Sequence, residues 1–234
     1  MALPKLETPT YELQLPSTGK NIKYRPFLIK EQKVLMMAQE SNDEKQITNA
    51  MIDLVSSCTF NKIDIEKSPV FDVEYIFLQI RSKAVGSKTR VMVTCPDDGV
   101  TRSEVQINLD EIDVQMKDEH TNEIQLTEKV KMVFRYPLFV DVSNVKAGNE
   151  IQQMFSTING CIHEIHFDDQ IFNKTDMTEK EIDEFVESLD TENFKKITDF
   201  FDSMPKLRHI VSITNPKTKV KSQVVLEGLQ SFLE

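Results

Sequence analysis

Residues 91–100 read "VMVTCPDDGV". A Cys-Pro pair, two polar residues and a Gly between strand-like apolar flanks have half the look of a zinc knuckle. The place of a second cysteine is taken by Asp97 and Asp98. A structural zinc site needs four nitrogen or sulfur ligands in tetrahedral array, and thiolates normally come as paired knuckles. Cys95 has no other cysteine near it in sequence. Asp97-Asp98-Gly99 is instead good turn chemistry, since Asp tolerates turn geometry and Gly supplies positive φ. The segment "TRVMVTCPDDGVTRSEVQINL" therefore reads as strand, turn, strand, with Cys95 at a hairpin tip.

Residues 211–220, "VSITNPKTKV", repeat this pattern near the end of the chain. Val91, Thr94, Pro96, Val100, Val105 and Leu109 match Val211, Thr214, Pro216, Val220, Val225 and Leu229 at one constant offset. The proline is kept, but Asn215, a poor zinc ligand, stands where Cys95 does. Earlier blocks match too. Glu12, Leu13, Gln14 and Leu15 find Glu123, Ile124, Gln125 and Leu126, and Pro26 finds Pro137 at the same offset. Met51 and Cys58 find Met154 and Cys161 at another. Three blocks in one order, each with its own offset, are what a duplicated module with changed loop lengths produces.

The segments between these blocks follow one plan. Residues 10–27 read as two strands around a Pro-Ser-Thr-Gly turn. A helix is expected from Lys30 to Gln39. Ser41 with Glu44 has a capping-box signature, opening a helix with an apolar face of Ile47, Ala50, Met51, Leu54, Val55 and Cys58. After Pro69, a third helix carries Val73, Ile76, Phe77, Ile80 and Ala84. In the second half, "NEIQLTEKVKMVFRYPLF" is strand-like and "NEIQQMFSTINGCI" is helical. Thr178 with Glu181 caps a further helix, and Phe194, Ile197 and Phe201 mark another. The expected fold is α+β: two similar modules from an internal duplication, residues 1–112 and 113–234, each with antiparallel strands or hairpins flanking a helical cluster.

Composition sets limits on function. The 234 residues are 39% hydrophobic and 28% charged, within the range of soluble globular proteins. A net charge of −10 argues against a generic duplex DNA binder, which needs a basic excess to release counterions. No apolar run approaches the roughly 20 residues that span a bilayer, and no signal peptide is visible. Three scattered cysteines are not a disulfide framework, so synthesis in a reducing cytoplasm is expected. No dinucleotide, phosphate-loop, zinc-protease or serine-hydrolase motif occurs.

Other clusters have plain readings beside the chemical ones. Cys161, His163, His166 and Asp168 in "GCIHEIHFDD" could supply metal ligands, and His163 or His166 could act as a base. Yet Cys161 stands where Cys58 completes an apolar stripe, so a buried cysteine and surface histidines are favoured. The acidic run "DEIDVQMKDEH" reads as a solvated linker. Lys217, Lys219 and Lys221 would alternate along one strand face, guarding an edge or meeting an acidic partner. No catalytic, cofactor-binding or metal-binding residue is assigned, and the protein is expected to be no enzyme. The competing reading is a degenerate zinc-ribbon-like adapter for metal or nucleic acid.

The N-terminal stretch "ALPKLETPTYELQLPSTGKNIKYRPFLIKEQKVLMMAQES", the Cys-Pro hairpin and the terminal "NPKTKVKSQVVLEGLQSFL" resemble the baseplate protein family of T4-like contractile-tailed phages. The resemblance covers essentially the whole chain and rests on structural motifs. It implies a part in building the baseplate hub, as subunit or assembly chaperone, with other hub or tail proteins as partners. Self-association stays open beside these contacts. The resemblance places the chain in the host cytoplasm during assembly, with the virion tail baseplate as a further location, and brings no catalytic residues.

Overall fold

The computed structural model describes residues 7–41, 43–143 and 149–232. Residues 2–6 and 233, quoted above for the resemblance, lie outside the described residues. The fold is α+β, with small antiparallel sheets set among helices. It divides into two compact units, Met1–Gln115 with Lys206–Glu234, and Met116–Pro205.

In the first unit, alternating apolar positions form a hairpin of β1 (Tyr11–Gln14) and β2 (Asn21–Tyr24), with Leu13 opposite Ile22. Three helices follow: α1 (Ile29–Glu40), α2 (Glu44–Cys58) and α3 (Val70–Val85). Asp43, not Ser41, is the N-cap of α2 and accepts the amides of Lys45 and Gln46; Ser41 ends α1 instead. The side chain of Glu44 lies outside the described residues. α2 buries Ala50, Met51, Leu54, Val55 and Cys58, the stripe its periodicity predicts. α3 buries Phe71, Val73, Ile76, Phe77, Leu78 and Ile80, which is apolar around most of a helix and marks the centre of a core. The expected Cys-Pro hairpin follows as β3 (Lys88–Thr94) and β4 (Arg102–Asn108), with Val91 opposite Val105. The acidic run is not a free linker at its start: Asp113–Gln115 is strand β5.

The second unit holds β6 (Glu123–Gln125), β7 (Val130–Phe134), α4 (Phe139–Ser143) and α5 (Glu150–Cys161). Then come β8 (Ile162–Phe167), β9 (Gln170–Asn173), α6 (Glu179–Glu187) and α7 (Thr191–Ser203). Its sheet runs β6-β7-β8-β9, antiparallel throughout. Capping boxes at Asn149 with Gln152, and at Thr178 with Glu181, start α5 and α6. Met132, Phe134, Ile158, Cys161, Ile182, Ile197 and Phe200 form the core.

The chain closes with the hairpin β10 (Lys206–Thr214) and β11 (Lys221–Glu227), Val211 opposite Val224. The other edge of β10 pairs with β5, Leu207 opposite Val114. That pairing places the closing hairpin in the first compact unit, although linear order puts it in the second half.

Candidate functional site

Two hairpin turns meet within the first unit. In one, Cys95 accepts the amide of Gly99 at 2.9 Å and donates its own to the Thr101 carbonyl at 2.7 Å. In the other, Asn215 accepts the amide of Lys219 at 3.0 Å and donates to the Val220 carbonyl at 2.9 Å. Gly99 (φ 69°) and Lys219 (φ 65°) take the same left-handed place in the two turns. Cys95 and Asn215 are thus positional equivalents, and both are buried.

Side chains join the turns. The Asn215 amide nitrogen donates to Asp97 Oδ1 at 3.0 Å and to Asp98 Oδ2 at 3.0 Å. Its oxygen accepts the amides of Lys217 and Thr218 at 2.8 and 3.2 Å. The Thr218 hydroxyl donates to Asp97. Asp98 also accepts the Thr101 hydroxyl at 2.6 Å and the Thr101 amide at 2.9 Å. Hydrogen bonds from Thr218 and Asn215 hold Asp97 below the usual carboxylate range, and those from Thr101 and Asn215 do the same for Asp98. Burial, with the charges of Asp97 and Asp98, pushes the Cys95 thiol up. The bonds that occupy Asp97 and Asp98 shape each turn and join the two.

The lysine pattern differs from expectation. Lys217 and Lys219 lie in the turn, and Lys221 is the first residue of β11, so the three do not line one strand face. Asn215 and Pro216 begin the turn and take the chain out of strand geometry there.

In the second unit, the residues of "GCIHEIHFDD" are dispersed. Cys161 is buried in the core, and burial pushes its thiol up to about 12. His166 meets Glu164 at 2.7 Å, while His163 lies 3.7 Å from the same carboxylate. Asp168 sits at the β8–β9 turn and faces Lys129 at 3.7 Å. Among the described residues, no group of three or more His, Cys, Asp or Glu side chains could hold a metal. His120, read as part of the solvated linker, stacks on Tyr136 and packs tilted against Phe200, with Nδ1 2.9 Å from the Ser203 hydroxyl.

Sequence reading missed a staple that occurs once in each half. Arg25 donates its amide to the Cys58 carbonyl at 2.9 Å and its guanidinium to the Pro26 carbonyl and to Glu31 at 2.8 Å. Glu31 in turn accepts the Leu28 amide. Arg135 donates its amide to the Cys161 carbonyl at 2.8 Å and its guanidinium to the Tyr136 carbonyl and to Asp141 at 2.7 Å. Asp141 accepts the Leu138 amide. The available signal was an arginine followed six residues later by an acid in both halves. The Pro26–Pro137 match pointed one residue away, because the turn after β1 is one residue longer than the turn after β6.

Two acids on α3 were also missed. Asp72, buried, accepts both the amide and the hydroxyl of Ser17 from the β1–β2 turn. Glu74 accepts the Leu229 amide from the 3-10 helix after β11. One helix thus ties down an early turn and the closing segment.

Residues 8–234 match the family model described as T4 bacteriophage base plate protein. No curated protein and no solved structure matches the chain.

Proposed function

Since the chain belongs to the T4 bacteriophage base plate protein family, we propose that it acts in forming the baseplate hub through protein–protein contacts, as a structural subunit or an assembly chaperone. The family match over residues 8–234 carries this reading. The geometry agrees with it: the titratable side chains of the turns and staples are engaged in hydrogen bonds within the chain, and the three thiols are buried. Other tail or hub proteins are its partners. It works in the host cytoplasm during assembly and without catalysis.

Internal duplication is part of the same proposal, with sequence modules at 1–112 and 113–234. The twin staples of Arg25 and Arg135 and the matched turns at Cys95 and Asn215 support it. The β8–β9 hairpin is then an insertion after Cys161, at the point where the first half runs from Cys58 into a loop. The closing hairpin of the second module pairs with β5, which opens that module in sequence and belongs to the first compact unit.

Mass spectrometry of purified virions separates the two roles. A fixed copy number per tail identifies a subunit, and its loss from virions together with a hub defect in its absence identifies a chaperone. Zinc bound stoichiometrically and lost in Cys95→Ser would contradict the proposal in favour of a metal adapter.

A further inference from the structure

Helix α1 is apolar on two faces, and the chain covers one of them. Leu35 and Ala38 turn inward, Ala38 being 7% exposed. Outward, Ile29 is 79% exposed, Met36 53% and Met37 60%. Ile29, Gln32, Lys33, Met36, Met37 and Glu40 line a continuous outer surface. Half of the residues of α1 are apolar, and Ile29, Met36 and Met37 stand outside its buried side; paired methionines suit a surface that packs against another.

The charges indicate the occupant. Lys30 and Lys33 stand in the first half of α1, and Glu40 is its last residue, with no basic residue in the last turn. That order opposes the helix's own dipole, which favours acids at the start and bases at the end. The first-turn acid Glu31 is committed to Arg25 and the Leu28 amide. An antiparallel copy of the same helix reverses the mismatch. It sets Glu40 of one helix near Lys33 of the other and brings Met36 and Met37 together around a two-fold axis. The chain carries −10 overall, so two copies repel at most approaches, whereas this face supplies both signs. We propose that α1 is a self-complementary docking surface through which two copies of this chain pair antiparallel. This inference goes beyond the assembly role and does not depend on it. At 12 residues the helix is about 18 Å long, too short to bury the roughly 800 Å² per partner of a stable interface. The dimer is therefore weak and concentration-dependent.

Sedimentation velocity of the full chain over a concentration series tests it, with far-UV circular dichroism as a check on folding. Wild type should pass reversibly from monomer to dimer. Met36→Glu with Met37→Glu should raise Kd by about tenfold or more, the equivalent of about 1.4 kcal/mol. Lys33→Glu alone should also weaken pairing, although it improves the charge match with the helix's own dipole, so loss of the helix could not explain that result. Lys33→Glu with Glu40→Lys should restore pairing. A wild-type chain that stays monomeric at the highest concentration, a dimer indifferent to the methionine changes, or a charge swap that fails to recover pairing would each overturn the proposal.

Discussion

Asn215 shows how one residue can take a new partner when its equivalent is a cysteine. Its amide lies between two carboxylates, and its oxygen closes its own turn. Asn215→Ala removes a buried donor and acceptor together and should cost about 2 kcal/mol of unfolding free energy. Asn215→Asp should cost more, because a third carboxylate then faces Asp97 and Asp98. Chemical denaturation of both variants checks the order. The β-turn was legible from Asp97, Asp98 and Gly99. Its contact with the second turn was not, because a bond between residues more than 100 positions apart leaves no local pattern. Buried Asp72 offers a pH test. Burial pushes it above the ordinary carboxylate range despite its two bonds from Ser17, and burial does the same to Glu74. A carboxylate with a raised folded pKa binds protons more tightly when folded, so it adds stability as pH falls from neutral toward its unfolded value of roughly 4. Asp97 and Asp98 act oppositely: their contribution is present above that value and is lost as pH falls below it through their depressed folded pKa values. Denaturation midpoints should therefore rise on mild acidification and drop below about pH 4. Asp72→Asn should flatten the rise.

At the scale of elements, α2, α3, α6 and α7 declared themselves through apolar stripes, whose residues are buried or half-buried. β8 and β9 did not. β8 begins directly where α5 ends, and β9 is exposed along its whole length, so neither shows a period of two against a polar background. This unguarded edge exposes Ile171 (57%) and Phe172 (40%). Edge strands without charge or proline invite pairing with other chains. Ile171→Lys should leave stability within about 0.5 kcal/mol and slow aggregation on heating, measured by light scattering. The staples allow a comparison across the halves. The Arg25–Glu31 side chains are 14% and 10% exposed, against 32% and 31% for Arg135–Asp141. Removing one partner of a more buried pair strands the other at greater cost. Arg25→Ala should lose about 3 kcal/mol and Arg135→Ala about 1 kcal/mol, read from the same denaturation curves.

For the whole molecule, linear order and compact order differ. Three blocks of matches suggest the proposed repeat, but the pairing of β10 with β5 left no such signal, since strand partners across a chain are set by packing rather than by local residues. Deleting Lys206–Glu234 should remove the partner of β5 and the bond from Leu229 to Glu74. Hydrogen exchange should then show lost protection in α3 and in β3–β4, while β6–β9 and α5 keep theirs. The proposed role of this scaffold is in baseplate hub formation. Infection with a phage carrying a null allele of this chain tests it most directly, with tail intermediates sorted by sedimentation and viewed by electron microscopy. Complete hubs should fail to form and should return when the wild-type chain is supplied in trans. Complete baseplates of normal sedimentation in the null infection would contradict it.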